Sequence, residues 1–106
     1  MQVMNPPVRV VDTRSNNTPL QANQSRTIPI PQAGSAVMVN LTAVEGAGSG
    51  FVAAWGDGGF PATSALNFIQ GIAIANCIVV PVVNGHITVG ANVRVHLIVD
   101  LCAVWP

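Results

Sequence analysis

The run Val93-Arg94-Val95-His96-Leu97-Ile98-Val99-Asp100-Leu101-Cys102-Ala103-Val104-Trp105 limits what this chain can fold into more than any other stretch. With a period of two, Val93, Val95, Leu97, Val99, Leu101, Ala103 and Trp105 share one face, and Arg94, His96, Ile98, Asp100 and Cys102 share the other. One wholly apolar face at that period belongs to a strand lying on a core. At about 3.3 Å per residue the run reaches roughly 40 Å, a length at which a bulge or bend is a common interruption. The expectation is a central strand on which the earlier strands assemble.

The rest of the chain reads as β as well. Val8 to Arg14 forms a first strand, closed by the turn-rich Ser15-Asn16-Asn17-Thr18-Pro19. Arg26-Thr27-Ile28-Pro29-Ile30-Pro31 is extended, and its prolines, which cannot donate to a ladder, place it at an edge. Ser35 to Val44 alternates with Val37, Val39, Leu41 and Ala43 inward. Gly46-Ala47-Gly48-Ser49-Gly50 then loops to Phe51 to Trp55, which ends at Gly56-Asp57-Gly58-Gly59-Phe60-Pro61. Ser64 to Ile69 and a run from Ile72 to Val83 follow.

Asn84-Gly85, standing between Val79 to Val83 and His86 to Val89, is the strongest local signal, because both residues tolerate the positive φ of a two-residue type I′ hairpin. It predicts that the C-terminal third is a three-stranded meander. No segment has the spacing and caps of an amphipathic helix of three turns. The expected architecture is all-β: one antiparallel sandwich of about eight short strands over residues 8–106, preceded by an extension over residues 1–7. A small closed barrel is the alternative.

Composition narrows the function. The chain has 106 residues, half of them hydrophobic, so it suits one domain. Four basic and four acidic residues give no patch for phosphates, which excludes nucleic acid as an expected partner. No apolar run approaches the roughly 20 residues of a membrane span. Met1 to Pro7 lacks the features of a secretory signal, which suggests a chain not exported by that route or a piece of a longer one. Cys77 and Cys102 lie in apolar runs and are expected to be buried free thiols, although a disulfide between them is not excluded by the sequence.

Several motifs occur in a recognisable order: Val10-Val11-Asp12-Thr13-Arg14, Asn40-Leu41-Thr42 before a Gly-Phe strand, Ser64-Ala65-Leu66-Asn67-Phe68, Ala75-Asn76 before a Val-Pro strand, and His96-Leu97-Ile98-Val99-Asp100. The order resembles an all-β accessory module of actinobacterial surface and secreted proteins, which opens with VDTR and closes with VDVAGW. The resemblance covers Val8 to Trp105, but Ala103-Val104 replaces the closing Gly-Trp and the aromatic shifts to Trp105. It implies an accessory role beside a hydrolase or in tandem. A single such module, rich in Ala, Val, Gly and Arg and without Lys, fits a virion protein of a phage infecting such bacteria.

Chemistry-bearing residues are sparse. Asp12, Arg14, Asn40, Thr42, Asn67 and Asp100 fall on the less apolar strand faces, where they form either a sugar-binding cluster or, more in keeping with strand positions, a network tying strands together with Arg14 paired to Asp12 or Asp100. A glycosidase pair of Asp12 and Asp100 would lose its raised-pKa acid beside Arg14. His86 and His96 lack a third ligand at metal spacing, and the glycine-rich stretch lacks a phosphate-loop pattern, so no metal, cofactor or catalytic group is expected. Trp55, Phe60 and Trp105 are candidate interface anchors or sugar-stacking aromatics.

The sequence therefore predicts a non-enzymatic virion structural protein. Its place is a capsid decoration or tail-surface position, its partners are other virion proteins and copies of itself, and it is located in the virion. The alternative is a carbohydrate-binding module for a bacterial cell envelope, extracellular or at the cell surface.

Overall fold

The computed structural model describes residues 1–31, 34–61 and 64–106, which fold into two antiparallel four-stranded sheets packed as a sandwich. The strands are β1 (Gln2–Asp12), β2 (Ser25–Pro29), β3 (Ala36–Val44), β4 (Gly50–Trp55), β5 (Leu66–Phe68), β6 (Ile74–Pro81), β7 (His86–Ala91) and β8 (His96–Trp105). The first sheet has the order β1-β8-β3-β6 and the second β2-β7-β4-β5. Among the described residues the two sheets do not close into a barrel. No helix among the described residues is long and apolar enough to cross a membrane.

Alternation places the core. In β3, Val37, Val39, Leu41 and Ala43 are buried between the sheets, while Ala36, Met38, Asn40, Thr42 and Val44 are half-buried on the outside. Ile28, Val52, Leu66, Phe68, Ile87, Val89 and Ala91 face them from the second sheet. β8 takes the central place expected of it, hydrogen-bonded along β1 on one side and β3 on the other.

The expected alternation of β8 fails at its end. Opposite Met38 and Val39 the register steps from Ala103 to Leu101, leaving Cys102 as the extra residue of a bulge. A one-residue slip exchanges faces. Leu97, Val99 and Leu101 point inward before the bulge, Val104 points inward after it, and Ala103 and Trp105 turn to the outer face.

The C-terminal meander does not form. Asn84 and Gly85 do adopt positive φ, 52° and 78°, and Val83 and His86 exchange both backbone hydrogen bonds at 3.0 and 3.1 Å. Beyond that single bridge the strands part: β6 runs along β3 in the first sheet, and β7 lies between β2 and β4 in the second. A two-residue turn fixes chain reversal over four residues and has no hold on which sheet claims each arm. Here it is a corner between layers, as is every connection except that from β4 to β5. Gly46 to Gly50 is likewise a crossing from β3 to β4.

Residues 2–7, read as an extension, form the first half of β1, with Gln2 opposite Val104 and Val3 opposite Ala103. The prolines at 6 and 7 and two register shifts make that edge irregular, consistent with strand pairing on one side only. β2 is at the opposite sheet's edge, where its prolines put it. Ile30 donates to Gly85 O, so Pro29 and Pro31, the alternate positions, turn to the open side.

Candidate functional site

The outer face of the first sheet gathers most of the sequence-predicted polar residues. Cross-strand rows run Asp12, Ile98, Thr42, Ala75; then Arg9, Asp100, Asn40, Cys77; then Val3, Ala103, Met38, Val79; then Trp105, Ala36, Pro81. Asp12, Asn40, Thr42 and Asp100 thus share one face, with Arg14 beside Asp12. Asn67 does not join them: it lies opposite Phe51 on the outer face of the second sheet.

The charged corner is an ion-pair chain. Arg14 donates from Nε and Nη2 to the Asp12 carboxylate at 3.0 and 2.9 Å and from its backbone N–H at 3.1 Å. Arg9, which sequence reasoning missed, donates from Nε and Nη2 to Asp100 at 2.9 and 3.3 Å and approaches Asp12 at 3.8 Å. No local signal marked it: three residues apart in a regular strand, Arg9 and Asp12 would face opposite ways, and it is the register shift between Arg9 and Val11 that brings both to one face, with Asp100 across the sheet. Asn40 donates to Thr42 Oγ1 over a long 3.4 Å.

These contacts disarm the carboxylates. The hydrogen bonds from Arg14 hold the Asp12 carboxyl at about 2, well below the ordinary carboxylate range, so it is ionised at neutral pH. Asp100 accepts both donors of one guanidinium. Asp12 is therefore not the raised-pKa acid that glycoside hydrolysis requires.

Thr13, between Asp12 and Arg14, is buried and was also missed. Its Oγ1 accepts the Leu97 N–H at 2.9 Å and lies 2.9 Å from His96 Nδ1. The Val-Asp-Thr-Arg stretch therefore clamps the end of β1 onto β8: Thr13 from within, and Asp12 through Arg9 from outside.

Cys77 is exposed and Cys102 half-exposed, against the expectation of buried thiols. Around Cys77 the run is apolar on both faces apart from Asn76, so composition does not say which face is inward. Pairing with β3 turns Val80 in and Cys77 and Val79 out. Burial, and then the neighbouring Cys77 thiol, push the Cys102 pKa up.

The aromatics separate into two places. Phe60 packs 5.1 Å from Trp55 and 6.1 Å from Phe51, centroid to centroid, on the outer face of the second sheet. It lies over Gly90, where an added Cβ would clash with the Phe60 ring. Trp55 Nε1 donates to Gly58 O at 3.0 Å, closing the loop. Trp105 is on the other sheet, opposite Ala36.

Two shallow concavities adjoin β1 and β2. One of about 310 Å³ is lined by Asp12, Ser15, Asn16, Thr18, Arg26 and Thr27 among others, and one of about 360 Å³ by Val8, Arg9, Val10, Pro29 and Pro31. Neither contains an aromatic side chain. Among the described residues no three metal-ligating side chains cluster. Compared with known proteins, the chain matches no protein-family model, no curated protein and no solved structure.

Proposed function

We propose that the chain is a non-enzymatic structural protein of a virion, a capsid decoration or tail-surface component, attached through the outer face of its first sheet. The observation that carries this reading is the row Val3, Ala103, Met38, Val79. Val3 and Val79, at the ends of the row, are 62% and 56% exposed, Met38 is half-buried and Ala103 buried between them, and no charge interrupts the row. Exposed apolar side chains flanking such a row suit a contact surface. The ion-paired carboxylates and the motif order of the accessory module add support.

Immobilised chain should retain purified head or tail proteins of an actinobacterial phage. Val79→Lys should abolish that retention, while Thr27→Lys, on β2, should leave it intact. Equal retention by both variants would refute the reading.

A second reading, binding of a cell-envelope glycan, draws on the hydroxyl- and carboxylate-lined concavity beside Asp12. It is the weaker, because the aromatic pair lies on the other sheet and its indole N–H is already spent on Gly58 O. Purified cell walls should retain none of the chain.

A further inference from the structure

The two thiols of the chain face the same way on the first sheet. Cys77 lies in β6 opposite Asn40 of β3, whose neighbour on the other side is Asp100 of β8, and it is exposed on the outer face. Cys102, the extra residue of the β8 bulge, stands between the rows of Asp100 and Ala103, half-exposed, and its Sγ–H points to Asp100 O at 3.6 Å. The two side chains therefore flank Asn40 from opposite sides of β3. They also sense each other through space: burial, and then the charge of the Cys77 thiolate, push the Cys102 thiol up, while the Asn40 backbone N–H favours its thiolate.

Span decides what the pair can do. With β3 between them, the Cα atoms are about two strand spacings apart, roughly 9.6 Å, whereas a disulfide joins Cα atoms no more than about 7 Å apart. A disulfide is out of reach unless a strand moves. A metal ion held by both sulfurs replaces one S–S bond of about 2 Å by two metal–sulfur bonds of about 2.3 Å each. That lengthens the reach by about 2.5 Å, to the distance the sheet sets.

The donor set chooses the ion. Among the described residues no third His, Cys, Asp or Glu clusters with the two thiols, so they neither complete the tetrahedron of a structural zinc site nor offer the oxygen ligands of calcium or magnesium. Asp100, the carboxylate in the same row, accepts both donors of Arg9. What remains is a soft ion satisfied by two sulfurs, the class of copper(I) and silver(I). Such an ion deprotonates its thiol ligands outright, and so binds thiols that are protonated at neutral pH.

We propose that Cys77 and Cys102 hold one copper(I)-class ion between β6 and β8, in a linear sulfur–metal–sulfur bridge over Asn40. Binding releases both thiol protons to solvent, with no change of oxidation state. The bridge ties the edge strand β6 to β8 across β3, so the loaded chain resists unfolding better than the empty one. The ion sits beside the row Val3, Ala103, Met38, Val79, and the attachment reading neither requires it nor is required by it.

The test is anaerobic titration of the reduced full chain with copper(I) in competition with the chelator bicinchoninate, alongside a silver–proton correlation spectrum of the silver(I)-loaded chain. One ion per chain should bind, and the silver should correlate with the Hβ protons of both Cys77 and Cys102. Cys77→Ser and Cys102→Ser should each lose the ion to the chelator while unfolding in denaturant as the metal-free wild type does. No binding in competition with the chelator would overturn the proposal. So would one ion for every two chains, a correlation to Cys77 alone, or an ion retained by Cys102→Ser, because each places the ion between copies instead of across β3. A disulfide joining Cys77 to Cys102 in the folded monomer after air oxidation would overturn it as well, by showing a shorter span than the sheet sets.

Discussion

Thr13 supplies a buried hydroxyl to the Leu97 N–H, so Thr13→Val leaves a buried donor unmatched. Its expected cost is about 1–3 kcal/mol in denaturant unfolding, against less than about 0.5 kcal/mol for Thr18→Val, whose side chain is exposed. Asp12 gives a second test at the same scale. Its folded pKa is depressed to about 2, so its contribution to stability is full above the ordinary carboxylate value and is lost as pH falls through about 2. Arg14→Leu removes the main cause, and the Asp12 midpoint, followed by carboxylate NMR, should move up toward 3.8. A midpoint still at about 2 would assign the shift to something other than Arg14.

At the scale of elements, the bulge at Cys102 decides which side chains face the core. Deleting Cys102 removes the extra residue and restores plain alternation, with Leu101 and Val104 inward and Ala103 outward as before, so it should cost no more than about 1 kcal/mol in thermal or denaturant unfolding. Gly85 has φ 78°, and Gly85→Val should cost about 1–2 kcal/mol through backbone strain at the corner between sheets. These two places also mark where the sequence stops being readable. The alternation of β3 and the first part of β8 named their inward residues correctly, because Asn40 and Thr42 in the one and His96 and Asp100 in the other set the outer face. The bulge carries no comparable signal, since Leu101 to Val104 is apolar or nearly so on both sides. The Asn-Gly turn announced its own conformation, but the destinations of β6 and β7 depend on long-range pairing with β3, β2 and β4, which no local pattern encodes. Of the polar residues chosen from sequence, Asp12, Arg14, Asn40, Thr42 and Asp100 converge because they share strand parity in one sheet. Asn67 has the same parity in the other.

For the whole molecule, function rests on which residues share the open face of the first sheet, and that follows from the strand order β1-β8-β3-β6 with its bulge. A meander of β6, β7 and β8 would carry Val79 away from Met38 and Ala103 and dissolve the apolar row. Cross-strand Hα–Hα and Hα–amide NOEs in the labelled chain distinguish the two arrangements most directly. The account predicts that Asp100 contacts both Arg9 and Asn40, that Met38 contacts Ala103 and Val79, and that the β8 ladder passes from Ala103 to Leu101 without a partner for Cys102. A continuous ladder joining Ile78 to Pro81 with His86 to Ala91 would contradict it.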